Sequence, residues 1–204
     1  MYIKQFENGL LDSNTYVVWG DSKIALIVDS GVKTAEIAEF VKKNSLTVKH
    51  IVLTHGHYDH VNYIGEYLST FEGAIPYCHR DELKILLDPN ANVSRLFTRE
   101  SKSYDYDYTF LAEGDTLAID DSISFTVLNL PGHSPGSIAL YCEKEGVLFT
   151  GDVVSAGGWG RTDFLYGNHQ DMDKSLSRIY SLDKNTTIYP GHYEITQLYK
   201  IFKY

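Results

Sequence analysis

The stretch Leu53–Val61 reads LTHGHYDHV and places three of the chain's eight histidines, with an aspartate, within six residues. Neutral imidazole nitrogens and carboxylate oxygens are ligands for zinc, iron and related divalent ions. His55 and His57 lie two apart, so on an extended segment both rings point the same way and can share one ion. Asp59 and His60 follow across a turn into a predicted helix, face another direction and suit a second ion. Gly56 is expected to supply the tight backbone of that turn.

Further donors stand at comparable places. Leu130-Pro131-Gly132-His133, Phe149-Thr150-Gly151-Asp152 and Tyr189-Pro190-Gly191-His192 each put a ligand type just after an apolar run and beside a glycine. A strand end is a stiff support, and the glycine lets the loop return the ligand to the sheet edge. Five histidines and two aspartates are too many for one tetrahedral ion. Shared between two ions, with one aspartate and one water bridging, they give each a plausible shell. Ions about 3.5–4 Å apart can hold a hydroxide and polarise a carbonyl, and zinc lowers the pKa of bound water from about 15.7 to about 7. Such a site hydrolyses without a serine or cysteine nucleophile.

The elements that must position these residues are legible in outline. Tyr2 to Phe6, Thr15 to Trp19 and Lys23 to Val28 read as an antiparallel meander, followed by a helix over residues 33–44 and a buried strand from Val48 to Leu53. Helices are predicted over 61–70, 80–87 and 171–182, and strands over Ser122 to Leu130, Ser137 to Cys142, Gly146 to Phe149 and Thr187 to Tyr189. Alternating strands and helices in both halves imply sheets covered by helices. Residues 88–110 show no stable period, and the run Tyr104-Asp105-Tyr106-Asp107-Tyr108 is read either as an edge strand or as a surface loop, with structural filler and a substrate-facing lid as the two roles.

Composition narrows the classes. The 204 residues fit one domain over 1–204, and 43% hydrophobic with 22% charged residues is an ordinary globular balance. A net charge of −9 argues against a nucleic-acid partner, and no run is apolar enough for a membrane span. The N-terminus lacks a basic-then-apolar leader, which points to the cytoplasm. Cys78 and Cys142 have no CxxC spacing and read as buried free thiols.

The set THGHYDH, PGHSPGS, GDVV and YPGH resembles the metallo-β-lactamase superfamily over essentially the whole chain, and the tract GDVVSAGGWGRTDFLYGN with TTIYPGH is similar to the glyoxalase II branch. The resemblance implies an α/β fold, a four-layer αββα sandwich, with a two-metal site at one edge of the facing sheets. It implies that His55, His57 and His133 hold the first ion, that Asp59, His60 and His192 hold the second, and that Asp152 bridges them. Two divalent ions are expected, zinc first, with iron and manganese as alternatives. It also implies that Asp29 accepts a ligand's second N–H; locally Asp29-Ser30-Gly31 reads almost as well as a plain turn.

Arg161 and Asp163 could bind a substrate carboxylate or pair to hold their loop, and the pair is the preferred reading. His50, His79 and His169 match no metal motif. Many relatives follow the aspartate-histidine pair with small residues; here Asn62-Tyr63 stand there, and Tyr63 is expected to add bulk near the second ion. Glyoxalase II enzymes carry an added helical domain that grips glutathione. Only 12 residues follow His192, enough for a short helix, so that grip is expected to be missing or built from elsewhere.

The leading functional expectation is metal-dependent hydrolysis of a small ester or thioester, such as a thioester of glutathione or another thiol, with Asp59 and a metal-bridging water at the reacting centre. A mononuclear-iron persulfide dioxygenase is the alternative suggested by Gly160-Arg161-Thr162-Asp163-Phe164. A non-catalytic metal-binding domain is the third. The same tract points away from a lactamase.

Overall fold

The computed structural model describes residues 1–98 and 100–201. Six strands form the first sheet in chain order: β1 (Tyr2–Phe6), β2 (Thr15–Trp19), β3 (Ile24–Val28), β4 (Thr47–Val52), β5 (Ile75–Cys78) and β6 (Thr109–Phe110). The first three pair antiparallel and the rest join in parallel. The crossovers carry α1 (Thr34–Lys43), α2 (Tyr58–Val61), α3 (Ile64–Thr70), α4 (Leu83–Leu87) and α5 (Ser94–Thr98).

The second sheet contains β7 (Thr116–Ala118), β8 (Ser124–Asn129), β9 (Ile138–Cys142) and β10 (Val147–Gly151). A small hairpin, β11 (Val154–Ser155) with β12 (Gly158–Trp159), and α6 (His169–Tyr180) follow. The sheet is completed by β13 (Thr187–Pro190) and β14 (Thr196–Gln197), ahead of α7 (Leu198–Ile201), and its spatial order is β14-β13-β10-β9-β8-β7.

Side-chain alternation turns these sheets into four layers. On β3, Ala25 and Ile27 face an outer core with Ile37, Val41 and Ile64 of the helices, while Leu26 and Val28 face inward. The inner core joins them to Phe125, Val127, Leu140 and Phe149 of the second sheet. On β10, Leu148 turns the other way, onto Met172, Leu176 and Ile179 of α6. Three apolar layers between helix, sheet, sheet and helix are the αββα sandwich of the sequence reading. Among the described residues no helix is long and apolar enough to cross a membrane. Cys78 and Cys142 are buried free thiols.

The structure corrects several boundaries. The helix over 61–70 is broken at Asn62-Tyr63, because the Tyr63 N–H donates to the Ser30 carbonyl at 3.0 Å and α3 starts afresh from Tyr63. The helix over 80–87 is a 3-10 turn, Arg80–Glu82, followed by α4, with His79 Nδ1 accepting from the Asp81 N–H. The last long helix begins at His169 rather than 171, since Asn168 Oδ1 caps it by accepting the Asp171 N–H. The tail after His192 forms β14 and α7; residues 202–204 lie outside the described residues.

The run Tyr104-Asp105-Tyr106-Asp107-Tyr108 is loop, so its edge-strand reading is corrected; a strand begins only after it, at Thr109–Phe110. Tyr104 and Tyr108 are buried and Tyr106 is exposed, which no strand alternation produces.

Candidate metal centre

The seven ligand candidates meet at one edge of the sandwich. His55 and His57 follow β4, Asp59 and His60 lie on α2, His133 follows β8, Asp152 follows β10, and His192 follows β13. Among the described residues, three overlapping groups each offer ligand atoms within 4.8 Å of one another: His55/His57/His133, His55/His60/Asp152 and Asp59/His60/His192. Asp152 lies between the two triads, with Oδ2 3.6 Å from His133 Nε2 and 3.5 Å from His192 Nε2, and Oδ1 3.3 Å from His60 Nε2.

Four of the five rings are tied at Nδ1. His133 Nδ1 donates to the Arg161 carbonyl at 2.8 Å and His192 Nδ1 to the Asp12 carbonyl at 3.2 Å. His60 Nδ1 donates to Asp29 Oδ2 at 2.9 Å. His55 Nδ1 lies 3.1 Å from Thr54 Oγ1, whose own hydroxyl donates to Asp29 Oδ2 at 2.9 Å. A ring that donates from Nδ1 leaves an Nε2 lone pair, and these point into the site. His57 is the exception and turns Nδ1 inward, 2.8 Å from His133 Nε2. Among the described residues, the buried His55 Nε2 and Asp152 Oδ1 in the site have no hydrogen-bond partner. Orphaned buried polar atoms are costly unless something satisfies them, and a nitrogen-oxygen donor set of this kind fits divalent ions.

The electrostatics split the site in two. Burial, then the neighbouring rings, holds His55 and His57 well below the ordinary imidazole range, His57 at about 3; burial likewise lowers His133. Neutral imidazole is the ligating form. Burial disfavours the His60 cation too, but the carboxylates of Asp152 and Asp59 outweigh it and raise His60 well above its usual value. His192 is raised by Asp59 and Asp152 against its own burial. Positive charge is therefore drawn to the Asp59/His60/His192 end.

Asp29 accepts from His60 Nδ1 through Oδ2 and takes the Thr54 N–H at 2.7 Å through Oδ1. Arg161 and Asp163 form a bidentate pair at 2.7 and 2.8 Å, with the guanidinium 4.1 Å above the Phe164 ring. Tyr63 is corrected: it packs on the outer core and does not line the cavity over the metal centre. Gly56 is also explained differently. Its φ is not positive; instead a Cβ there would come within 2.9 Å of Ile85 Cγ2 and 3.0 Å of Glu82 Oε2.

The cavity has a volume of about 370 Å³ and an aromatic mouth formed by Phe97, Trp159, Phe164 and Tyr193. Val93 and Phe97, from the 88–110 segment, lie on this wall. Glu82 was missed by sequence reasoning: it is fully buried beneath the ligand loops, and burial pushes its carboxyl up to about 7 against three donors that lower it. Its surroundings Arg80-Asp81-Glu82-Leu83-Lys84 read as the charged first turn of the helix expected over 80–87, and nothing local marks it.

A family model described as the metallo-beta-lactamase superfamily matches residues 8–192. A hydroxyacylglutathione hydrolase, GloC, of Haemophilus influenzae is 31% identical over 187 residues, covering 91% of this chain and 87% of that protein. The crystal structure of BLEG-1, described as a B3 metallo-beta-lactamase, superposes with a TM-score of 0.91 at 33% identity, covering 100% of this chain and 97% of that one. TTHA1623 in a di-iron-bound form gives a TM-score of 0.85 at 27% identity, covering 97% and 96%.

Proposed function

Because this chain belongs to the metallo-β-lactamase superfamily, we propose that it is a binuclear metallo-hydrolase of small esters or thioesters, with a lactoylglutathione-like thioester the first substrate to test. The observation that carries this reading is the convergence of anchored imidazoles on an open cavity. His55, His57 and His133 would hold one ion, Asp59, His60 and His192 the other, and Asp152 both. Two divalent ions, zinc first, with iron or manganese as alternatives, would supply an activated water at neutral pH and an electrophile for the carbonyl.

The chain's own residues do the rest. The Nδ1 anchors fix the rings, so the ligand set is pre-organised. Asp59, on the cavity wall with Oδ2 3.1 Å from His192 Nε2, would take a proton from the attacking water. Phe97, Trp159 and Phe164 exclude bulk water from one side of the substrate. A departing thiolate needs little protonation, so no separate acid is required. Arg161 is already paired with Asp163, which leaves it to brace the loop rather than to grip a substrate carboxylate.

Two further readings enter the same test. The BLEG-1 similarity favours a β-lactam arm. The Gly160-Arg161-Thr162-Asp163-Phe164 tract favours an arm for oxygen-dependent persulfide oxidation. Purified chain, stripped by chelation and reloaded with zinc, iron or manganese, is assayed against a thioester panel, a chromogenic cephalosporin and glutathione persulfide with an oxygen electrode. Thioester turnover that returns with about two ions per chain is expected; oxygen uptake with one iron, or turnover of the lactam alone, defeats the proposal.

A further inference from the structure

A single carboxylate spans the two loops that carry the three histidines of the first ion. Glu82 Oε2 accepts the Gly56 N–H at 2.6 Å, and Gly56 lies between His55 and His57. Glu82 Oε1 accepts the Gly136 N–H at 2.7 Å and the Ser134 hydroxyl at 2.6 Å, and Ser134 follows His133. Ser134 is itself fixed by Ser137, Oγ to Oγ at 2.7 Å. A buried carboxylate is costly unless donors surround it; here three short donors do, and none belongs to a cation.

The backbone is shaped around this side chain. A Cβ on Gly56 would lie 3.0 Å from Glu82 Oε2, and one on Gly136 would lie 3.1 Å from Glu82 Cγ. Both loops thus approach Glu82 closely because both are glycine at the point of contact. The second triad is held by other means: His60 by Asp29 and His192 by the Asp12 carbonyl. The strut is therefore selective for one half of the centre.

We propose that Glu82 is a positioning residue that sets the separation of the His55/His57 loop from the His133 loop, and thereby the affinity of the three-histidine site, without touching an ion. This rests on the assignment of His55, His57 and His133 to one ion. In Glu82→Gln the amide oxygen can still accept from one loop, but the NH2 group faces the donors of the other, so the separation is lost while the volume is kept.

The test is a cobalt(II) titration of metal-free full-length chain, read by its visible absorption. His57→Ala and His192→Ala assign the two binding steps, since each deletes the step to which its ring belongs. Glu82→Gln is expected to weaken the His57-dependent step by about 10–100-fold and to leave the His192-dependent step within about twofold. Ser134→Ala, which removes one donor and keeps both backbone contacts, is expected to weaken the same step by about threefold to tenfold; it decides the matter if Glu82→Gln does not fold. Equal weakening of both steps, or no change in either variant, overturns the proposal. A wild-type chain with no His57-dependent step overturns the ligand assignment as well. Failure to hydrolyse any thioester, with the titration behaving as expected, refutes only the substrate reading.

Discussion

Asp29 Oδ2 accepts from His60 Nδ1 at 2.9 Å and from Thr54 Oγ1 at the same distance, so one carboxylate orients a ring in each half of the centre. The residue sits at φ 61, a conformation rare for a non-glycine side chain and tolerated here because its hydrogen bonds over-determine it. Asp29→Ala is expected to lower metal affinity at both sites and kcat/KM by about 10–100-fold. Metal content by elemental analysis, with turnover across a range of added zinc, checks this; loss confined to one site would show that the Thr54 relay to His55 is idle.

The depressed rings give the metal-free chain an acid weakness. His57 has a folded pKa of about 3 against 6.5 unfolded, so folding favours its neutral form. Its contribution is complete above pH 6.5 and is lost as the pH falls toward 3. His60 and His192 are raised; their contribution is present below 6.5 and fades as the pH rises through their folded values, so they cannot cause an acid loss. Denaturant midpoints of metal-free wild type between pH 6.5 and 3 should fall, and His57→Gln should flatten the slope by about one proton, roughly 1.4 kcal/mol per pH unit. An unchanged slope would mean that the ring is not buried neutral.

The aromatic mouth predicts a binding effect separable from chemistry. Trp159 is 59% exposed on the β12 strand and touches the cavity without reaching the metal ligands' hydrogen bonds. Trp159→Ala is expected to raise KM for an apolar acyl thioester about fivefold to tenfold, the equivalent of about 1 kcal/mol, with kcat unchanged. A fall in kcat at constant KM would instead place the indole in the reaction.

Cys78 reports on the outer core. Burial pushes its thiol up to about 12, and it is 0% exposed. Native protein at pH 8 should therefore not react with a thiol-specific chromogen, while the denatured chain should titrate both cysteines. Rapid reaction of the native chain would contradict the burial of Cys78 in the outer core.

Much of the centre was legible because metal ligation is written in residue type and short spacing. His55, His57, Asp59 and His60 form a local cluster, and the other three ligands each follow a strand and a glycine. Glu82 was not legible, because its partners Gly56, Ser134 and Gly136 donate through backbone atoms and a common hydroxyl, which carry no signature. The break at Asn62-Tyr63 was hidden for a related reason: the apolar period of Val61, Ile64, Tyr67 and Leu68 continues across it, and only the tertiary bond to Ser30 interrupts the helix. The lining of the mouth by Val93 and Phe97 depends on how an aperiodic segment folds back, which periodicity does not report.

The loop bearing His192 is fastened by the opposite extremity of the polypeptide: Asn14 N–H donates to Gly191, the Asn14 amide to Pro190 and Tyr193, the Tyr16 hydroxyl to Pro190, and His192 to Asp12. Translation therefore imposes a timetable. A nascent chain that has cleared the ribosome through residue 161 already owns the three-histidine pocket, its strut, Asp152 and the Arg161 carbonyl that holds His133, whereas the neighbouring pocket has to wait until synthesis passes residue 193 and that clasp shuts. A stalled nascent chain halted between those points should capture one cation and only later, on release of the final strand, its companion.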